Sequence, residues 1–279
     1  MLHESILIKL FPPQRLFFLT ICLISFSSPL LCQARQGSGP INYSLPRPVD
    51  LDRFVRTTFK QFNGPQEYNR LYVEGFYPIG WSRDGKFAYY IEPVDEACGC
   101  YFAELIIQDL RTDKIVWHFK NDPESRVDKD GAPLPDDMRK LWKRNERAFA
   151  EKLRENGIVQ QARFTFLPST FTISGRRYVA KLSKISGDDG DGLTRIKKLT
   201  LQFTAPRLGT KILFTEEYKG DQMYTSPLDA AVAGVFKSPF EDRVAVIMLN
   251  VQRGWEGPPH TVDFRIAGAH LFNGFIKDK

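Results

Sequence analysis

Cysteine, histidine, methionine and tryptophan are all scarce in this chain, with four of each among 279 residues. Cys22 and Cys32 fall in an N-terminal apolar segment, which leaves Cys98 and Cys100 and excludes a disulfide framework. His118, His260 and His270 are far apart and far from the cysteines, so no Cys/His zinc set is present. No G-x-S-x-G elbow and no Walker or Rossmann glycine pattern occurs. Ser174-Gly175 and Ser186-Gly187 read as turns. The carboxylate pairs Asp136-Asp137 and Glu216-Glu217 are adjacent in sequence, so their side chains diverge on a helix or a strand. No catalytic residue, cofactor-binding set or metal ligand set is therefore assigned. The net charge of +6 is spread along the chain and lacks the concentrated basic face that nucleic acid requires. Beyond residue 34 nothing approaches the run of about 20 apolar residues that a membrane-spanning helix needs.

What is present begins at the N-terminus. Lys9 and Arg15 precede the apolar run LFFLTICLISFSSPLL (16–31), and Cys32-Gln33-Ala34 supplies small residues at the −3 and −1 positions of a cut before Arg35. This is the layout of a secretory signal peptide over residues 1–34, and it predicts an exported protein, periplasmic or extracellular, with no membrane span after cleavage. Cleavage removes two cations and one anion, so the charge falls by one from +6. The alternatives are an uncleaved membrane anchor and a lipoprotein attached through Cys32, although Leu31 stands where a lipobox carries a small residue. Residues 35–50, RQGSGPINYSLPRPVD, read as an extended leader.

The rest, 51–279, reads as a single domain. A short amphipathic helix is expected over 51–63, ended by Asn63-Gly64-Pro65. Short β-type runs follow at 72–77, 86–92, 102–110 and 114–119. The one long helix runs from Asp136 to about Asn156, with Met138, Leu141, Trp142, Phe149 and Leu153 on one face and Gly157 as its stop. Its basic residues alternate with Glu146, Glu151 and Glu155, so it reads as a solvated helix lying on a sheet rather than a membrane-binding one. Further strands are expected at 162–167, 171–173, 177–182, 194–203, 211–217, 230–237, 244–251 and 261–266. The fold class is mainly β, or α+β: antiparallel sheets with one inserted helix.

Residues 78–91, PIGWSRDGKFAYYI, resemble the strand-turn-strand unit of TolB-type β-propeller repeats. Asp84-Gly85 would make the tight turn, Ser82 would bond turn amides, and Trp81 and Phe87 would face the core. The hairpin FAELIIQDLRTDKIVWHF (102–119) continues the unit. A second copy, AGVFKSPFEDRVAVI (233–247), has Ser238-Pro239 and Asp242-Arg243 at the turn, one extra residue and no turn glycine. With RGWEGP at 253–258, the layout is similar to a group of secreted bacterial proteins of the domain-of-unknown-function type. The resemblance implies propeller-like sheets in two units, about 72–119 and 230–266, and specifies no reaction.

Three stretches could carry function. Cys98-Gly99-Cys100 is a candidate disulfide or turn, with metal capture as the alternative. Asp188, Asp189 and Asp191 in GDDGDG form an exposed loop whose spacing is not that of an EF-hand. Arg253, Trp255 and Glu256 form a candidate surface platform; the plainer reading has Trp255 capping the core. The expected function is a non-enzymatic interaction or structural role toward a protein or glycan partner. The alternatives are a hydrolase or carbohydrate-active enzyme with dispersed residues, and a metal or redox sensor using Cys98 and Cys100.

Overall fold

The computed structural model describes residues 43–64, 66, 70–96, 99–188, 192–220 and 225–277. The segment read as a signal peptide (1–34) with its Cys32, the first part of the leader, Cys98, Asp189 and Asp191 lie outside these residues.

Strand is the predominant structure of the described residues. In order the elements are α1 (Asp52–Thr58), β1 (Tyr72–Val73), β2 (Gly75–Trp81), β3 (Lys86–Glu92), β4 (Glu104–Asp109), β5 (Lys114–Lys120) and α2 (Met138–Glu155). Then come β6 (Val159–Gln160), β7 (Phe166–Leu167), β8 (Thr170–Ile173), β9 (Arg176–Asp188), β10 (Thr194–Ala205) and β11 (Gly209–Glu217). The last three are β12 (Asp229–Lys237), β13 (Arg243–Gln252) and β14 (Thr261–His270). The fold is mainly β with one long inserted helix, as the alternating apolar runs require.

Three sheets form, in the orders β5-β4-β3-β2-β6, β1-β14-β13-β12-β7 and β11-β10-β9-β8. All pairings are antiparallel except β1 with β14, which is parallel and aligns Tyr72 with Thr261. The second sheet lies in the middle. Its strand β13 is buried along nearly its whole length, and its residues alternate between two cores. Ala245, Ile247, Leu249 and Val251 meet Phe76, Trp81, Phe87, Tyr89 and Ile106 of the first sheet, along with Leu51, Val55 and Phe59 around α1. Val244, Val246 and Met248 meet Tyr178, Leu199, Leu201 and Phe203 of the third. This explains why β13 reads as a continuous apolar run: it has no solvent face.

The outer face of the first sheet is covered by α2. Leu141, Trp142, Phe149 and Leu153 pack on Ile79, Tyr90, Leu105 and Ile107. The Phe149 ring stands edge-on to Trp117, Phe119 and Trp142. The Asp137 side chain caps the helix by accepting the Lys140 N–H at 2.8 Å. Asp136 pairs with Arg126 and Arg144 at 2.9 and 2.5 Å. Gly157, at φ +67°, ends it.

The described part of the leader is irregular but is stitched into the domain. The Tyr43 hydroxyl donates to Ile158 O at 2.7 Å, and the Val49 N–H donates to Phe76 O at 2.9 Å.

In the β2–β3 turn, Trp81 is fully buried against Phe87, with ring centres 4.7 Å apart. The Ser82 N–H donates to Lys86 O at 2.9 Å, and Ser82 Oγ accepts the Lys86 N–H at 2.7 Å. Asp84 pairs with Lys86, and Gly85 sits at φ +85°, which L-residues rarely adopt. The β12–β13 turn repeats part of this scheme: the Ser238 N–H donates to Arg243 O at 2.9 Å. The two turns touch, with the Arg83 guanidinium 5.0 Å from the centre of the Phe240 ring.

Candidate functional site

The β13–β14 connection, residues 253–260, carries Arg253, Trp255 and Glu256. It is held by its own backbone and by a histidine. The Gly254 N–H donates to His260 Nδ1 at 3.3 Å, and the Gly257 N–H donates to Gly254 O at 3.1 Å. A side chain at Gly254 would meet Pro259 O at 2.2 Å, so the loop closes too tightly there for any other residue. His260 is buried edge-on against Phe62 and is held below the ordinary histidine range by burial first and by the Arg253 charge second. An uncharged ring with Nδ1 as acceptor is what this role demands.

The loop meets a second one. The Trp255 N–H donates to Glu96 Oε2 at 2.7 Å across 159 positions of sequence. In turn, Asp95 Oδ2 accepts the Cys100 N–H at 2.6 Å. Gly99-Cys100 and RGWEGP, from two of the stretches marked in the sequence, thus stand at one rim. The pairing of Cys98 with Cys100 lies outside the described residues.

Between these loops and β1 opens a cleft of about 650 Å³ lined by Tyr72, Asp95, Glu96, Gly99, Trp255, Glu256 and the Gly257–Pro259 turn. The Trp255 indole is 85% exposed and does not cap the core. Arg253 is exposed but is not part of the lining. The cleft therefore offers two aromatic rings, Tyr72 and Trp255, beside three carboxylates.

The other marked residues lie elsewhere. Trp81, Ser82, Asp84 and Gly85 form the β2–β3 turn. Asp188 ends β9. Glu216 and Glu217 diverge as adjacent strand residues must: Glu216 pairs with Arg265, while Glu217 pairs with Lys198 and Lys219 at 2.7 Å each. His118 Nε2 meets Glu104 Oε2 at 2.7 Å, and His270 Nδ1 accepts the N–H groups of Phe272 and Asn273 at 3.1 and 3.2 Å. Among the described residues no group of three or more His, Cys, Asp or Glu side chains could hold a metal ion.

Sequence reasoning missed three charged residues drawn at least partly out of water. Glu74 accepts the Phe264 N–H at 3.2 Å and is pushed up to about 8, by burial first and the nearby Asp263 charge second. Asp263 is also raised by burial, while accepting from Asn250 Nδ2 and Gln252 Nε2 at 2.8 Å each. Lys211 is buried, donates to the carbonyls of His270 and Asn273, and lies 4.5 Å from the Phe275 ring centre. Burial first, and Arg243 second, push it down to about 8. No local pattern marks such residues, because charged side chains in strands read as solvent-facing.

Set against protein-family models, curated proteins and solved structures, the chain matches none.

Proposed function

We propose that this chain is an exported β-rich interaction protein, with no reaction of its own, that docks a partner protein in the cleft beside Trp255. One observation carries the reading: an indole 85% exposed on a loop whose backbone is fixed at positions 254, 255 and 257. A large aromatic ring held in water on a rigid support loses little entropy on docking, and such rings dominate interface energetics. Asp95, Glu96 and Glu256 beside it favour a partner that presents Arg or Lys side chains, since a guanidinium stacks on indole and donates to carboxylates. The apolar segment 16–31 with its cleavage-type ending supports export, and the resemblance of 78–91 to TolB-type repeats supports a scaffold that displays loops. A Cys98–Cys100 disulfide would brace the loop that carries Asp95 and Glu96.

The test is calorimetric titration of the mature chain and its Trp255→Ala variant with a short arginine-rich peptide, and separately with a neutral oligosaccharide. The reading expects peptide binding that weakens with salt and falls at least about tenfold in the variant, the effect of one lost aromatic anchor. Salt-independent binding of the oligosaccharide would make the partner a glycan. Binding of neither would sink the proposal.

A hydrolase has one observation in its favour, the Glu74–Asp263 pair. A carboxyl that keeps its proton near neutral pH is the acid such chemistry uses, yet neither residue lines the Trp255 cleft.

A further inference from the structure

A second groove has the opposite charge. The sheet β11-β10-β9-β8 buries Tyr178, Ala180, Leu199, Leu201 and Phe203 against the central sheet. Strand alternation then sets Arg177 and Val179 of β9 and Thr204 of β10 on its other face. The register places Thr204 opposite both Val179 and Thr210, so these three strands offer one continuous row. Two further elements close it. The β10–β11 turn brings Arg207 to one end. The C-terminal segment pairs with β11, where Thr210 and Ile276 exchange backbone hydrogen bonds of 2.9 Å in both directions. This sets Lys277 beside Thr210. The approach is so close that a side chain at Gly209 would meet Ile276 O at 1.9 Å.

The result is a groove of about 670 Å³ lined by Arg177, Val179, Thr204, Arg207, Thr210 and Lys277, with the turn backbone between them. Three cations line it and, among the described residues, no carboxylate does. Among the described residues none of the three makes an ion pair. Elsewhere in this sheet Lys184 pairs with Asp229 and Lys198 with Glu217. Arg207 also holds a left-handed backbone, φ +68°, which costs a non-glycine residue about 1 kcal/mol or more. A glycine would fit that turn without strain. The fold thus keeps an arginine where its backbone is disfavoured, with no ion-pair partner among the described residues.

We propose that this groove is an oxyanion-binding site for a phosphate or sulfate group. Three cations lining one concave surface raise the positive potential inside it. Guanidinium groups match a tetrahedral oxyanion in bidentate fashion, and the Thr204 and Thr210 hydroxyls supply further donors. The group could be the free inorganic ion or an ester on a sulfated glycan, and the chemistry at the groove is the same. This site is independent of the Trp255 cleft and of the reading given to it.

The experiment titrates the mature chain calorimetrically with inorganic phosphate, inorganic sulfate, a sulfated oligosaccharide and its desulfated counterpart, at constant ionic strength in chloride. Saturable single-site binding of the ions or the sulfated sugar is expected, with none for the desulfated sugar. Similar affinity for ion and sugar would identify the free ion as ligand, and much tighter sugar binding would identify the ester. Arg177→Gln should weaken binding at least about tenfold, the loss of one charge-assisted contact. Arg207→Gly is the decisive variant. It should raise the melting temperature, because the strain is relieved, while weakening the anion by a similar factor. Affinity unchanged in both variants, or no binding of any of the anionic probes, would overturn the proposal.

Discussion

Glu74 shows how one side chain can set a pH dependence for the domain. Its carboxyl is pushed up to about 8 by burial and by Asp263, whereas in the unfolded chain it titrates at its ordinary value near 4.5. Between these values the folded protein holds a proton that the unfolded chain has released. Stability from this group is therefore full below pH 4.5 and declines as pH rises toward 8, by up to about 1.4 kcal/mol per pH unit. Glu74→Gln keeps an acceptor for the Phe264 N–H and cannot ionise. Urea denaturation at pH 5 and pH 8 is expected to show a smaller drop in the variant than in the parent; equal drops would assign the dependence to other groups. Lys211 acts in the opposite sense, because its folded value is depressed to about 8. Its charge is disfavoured in the fold, so its contribution improves as pH rises from about 8 toward 10.5. Neither residue could be found from the sequence. Each is an ordinary charged residue in or beside a strand, and only the chain segments packed over it take it out of water.

At the scale of the element, α2 separates capping from packing. Loss of the Asp137 cap in Asp137→Ala should cost about 1 kcal/mol. Phe149→Ala removes the ring that Trp117, Phe119 and Trp142 enclose and should cost about 3–5 kcal/mol. Equilibrium urea unfolding measures both; comparable losses would mean that the helix is held by its ends and not by its face. This helix was legible because Leu141, Trp142, Phe149 and Leu153 repeat at helical spacing before Gly157. So was β3, whose bounds Lys86–Glu92 match the apolar run between Gly85 and Pro93. The two-residue strands β6 and β7 were not resolved as such, since two residues have no period. The far half of β9, from Ser183, is polar, and its pairing with β10 comes from the hairpin that Asp188 and Thr194 close. The candidate cleft was half legible. Its glycine-flanked tryptophan and its cysteine turn both stood out, but their adjacency depends on the Glu96 contact to the Trp255 backbone, which no local pattern encodes.

Across the whole molecule, the first and middle sheets join through a few close contacts at the β4–β5 turn. Arg243 Nη1 donates to Leu110 O at 2.8 Å, Gln108 Nε2 donates to Ile266 O at 3.2 Å, and the Gly268 N–H donates to Asp113 Oδ1 at 2.7 Å. A side chain at Gly268 would meet Leu110 O at 1.9 Å, a backbone atom that cannot swing aside. Gly268→Ala should thus destabilise the protein by about 1–3 kcal/mol, the range for overpacking, and should raise binding of a hydrophobic dye as the first core loosens. Unchanged dye binding together with unchanged stability would show that the sheets can separate there without loss.

The parallel pairing of β1 with β14 carries a consequence for how the chain is made. Phe264 of β14 donates its N–H to Glu74, which follows β1, across 190 positions. Closing so long a loop is entropically costly and slow, and contacts of this separation form late. Tyr72 and Val73 leave the ribosome well before β14 and stay without their partner strand until Thr261 and Val262 have been synthesised. The grip of Lys211 on the carbonyls of His270 and Asn273, 59 and 62 positions away, must also wait for the chain beyond β14. On a growing chain the local hairpins β2–β3 and β4–β5 can therefore close long before β1 finds its parallel partner.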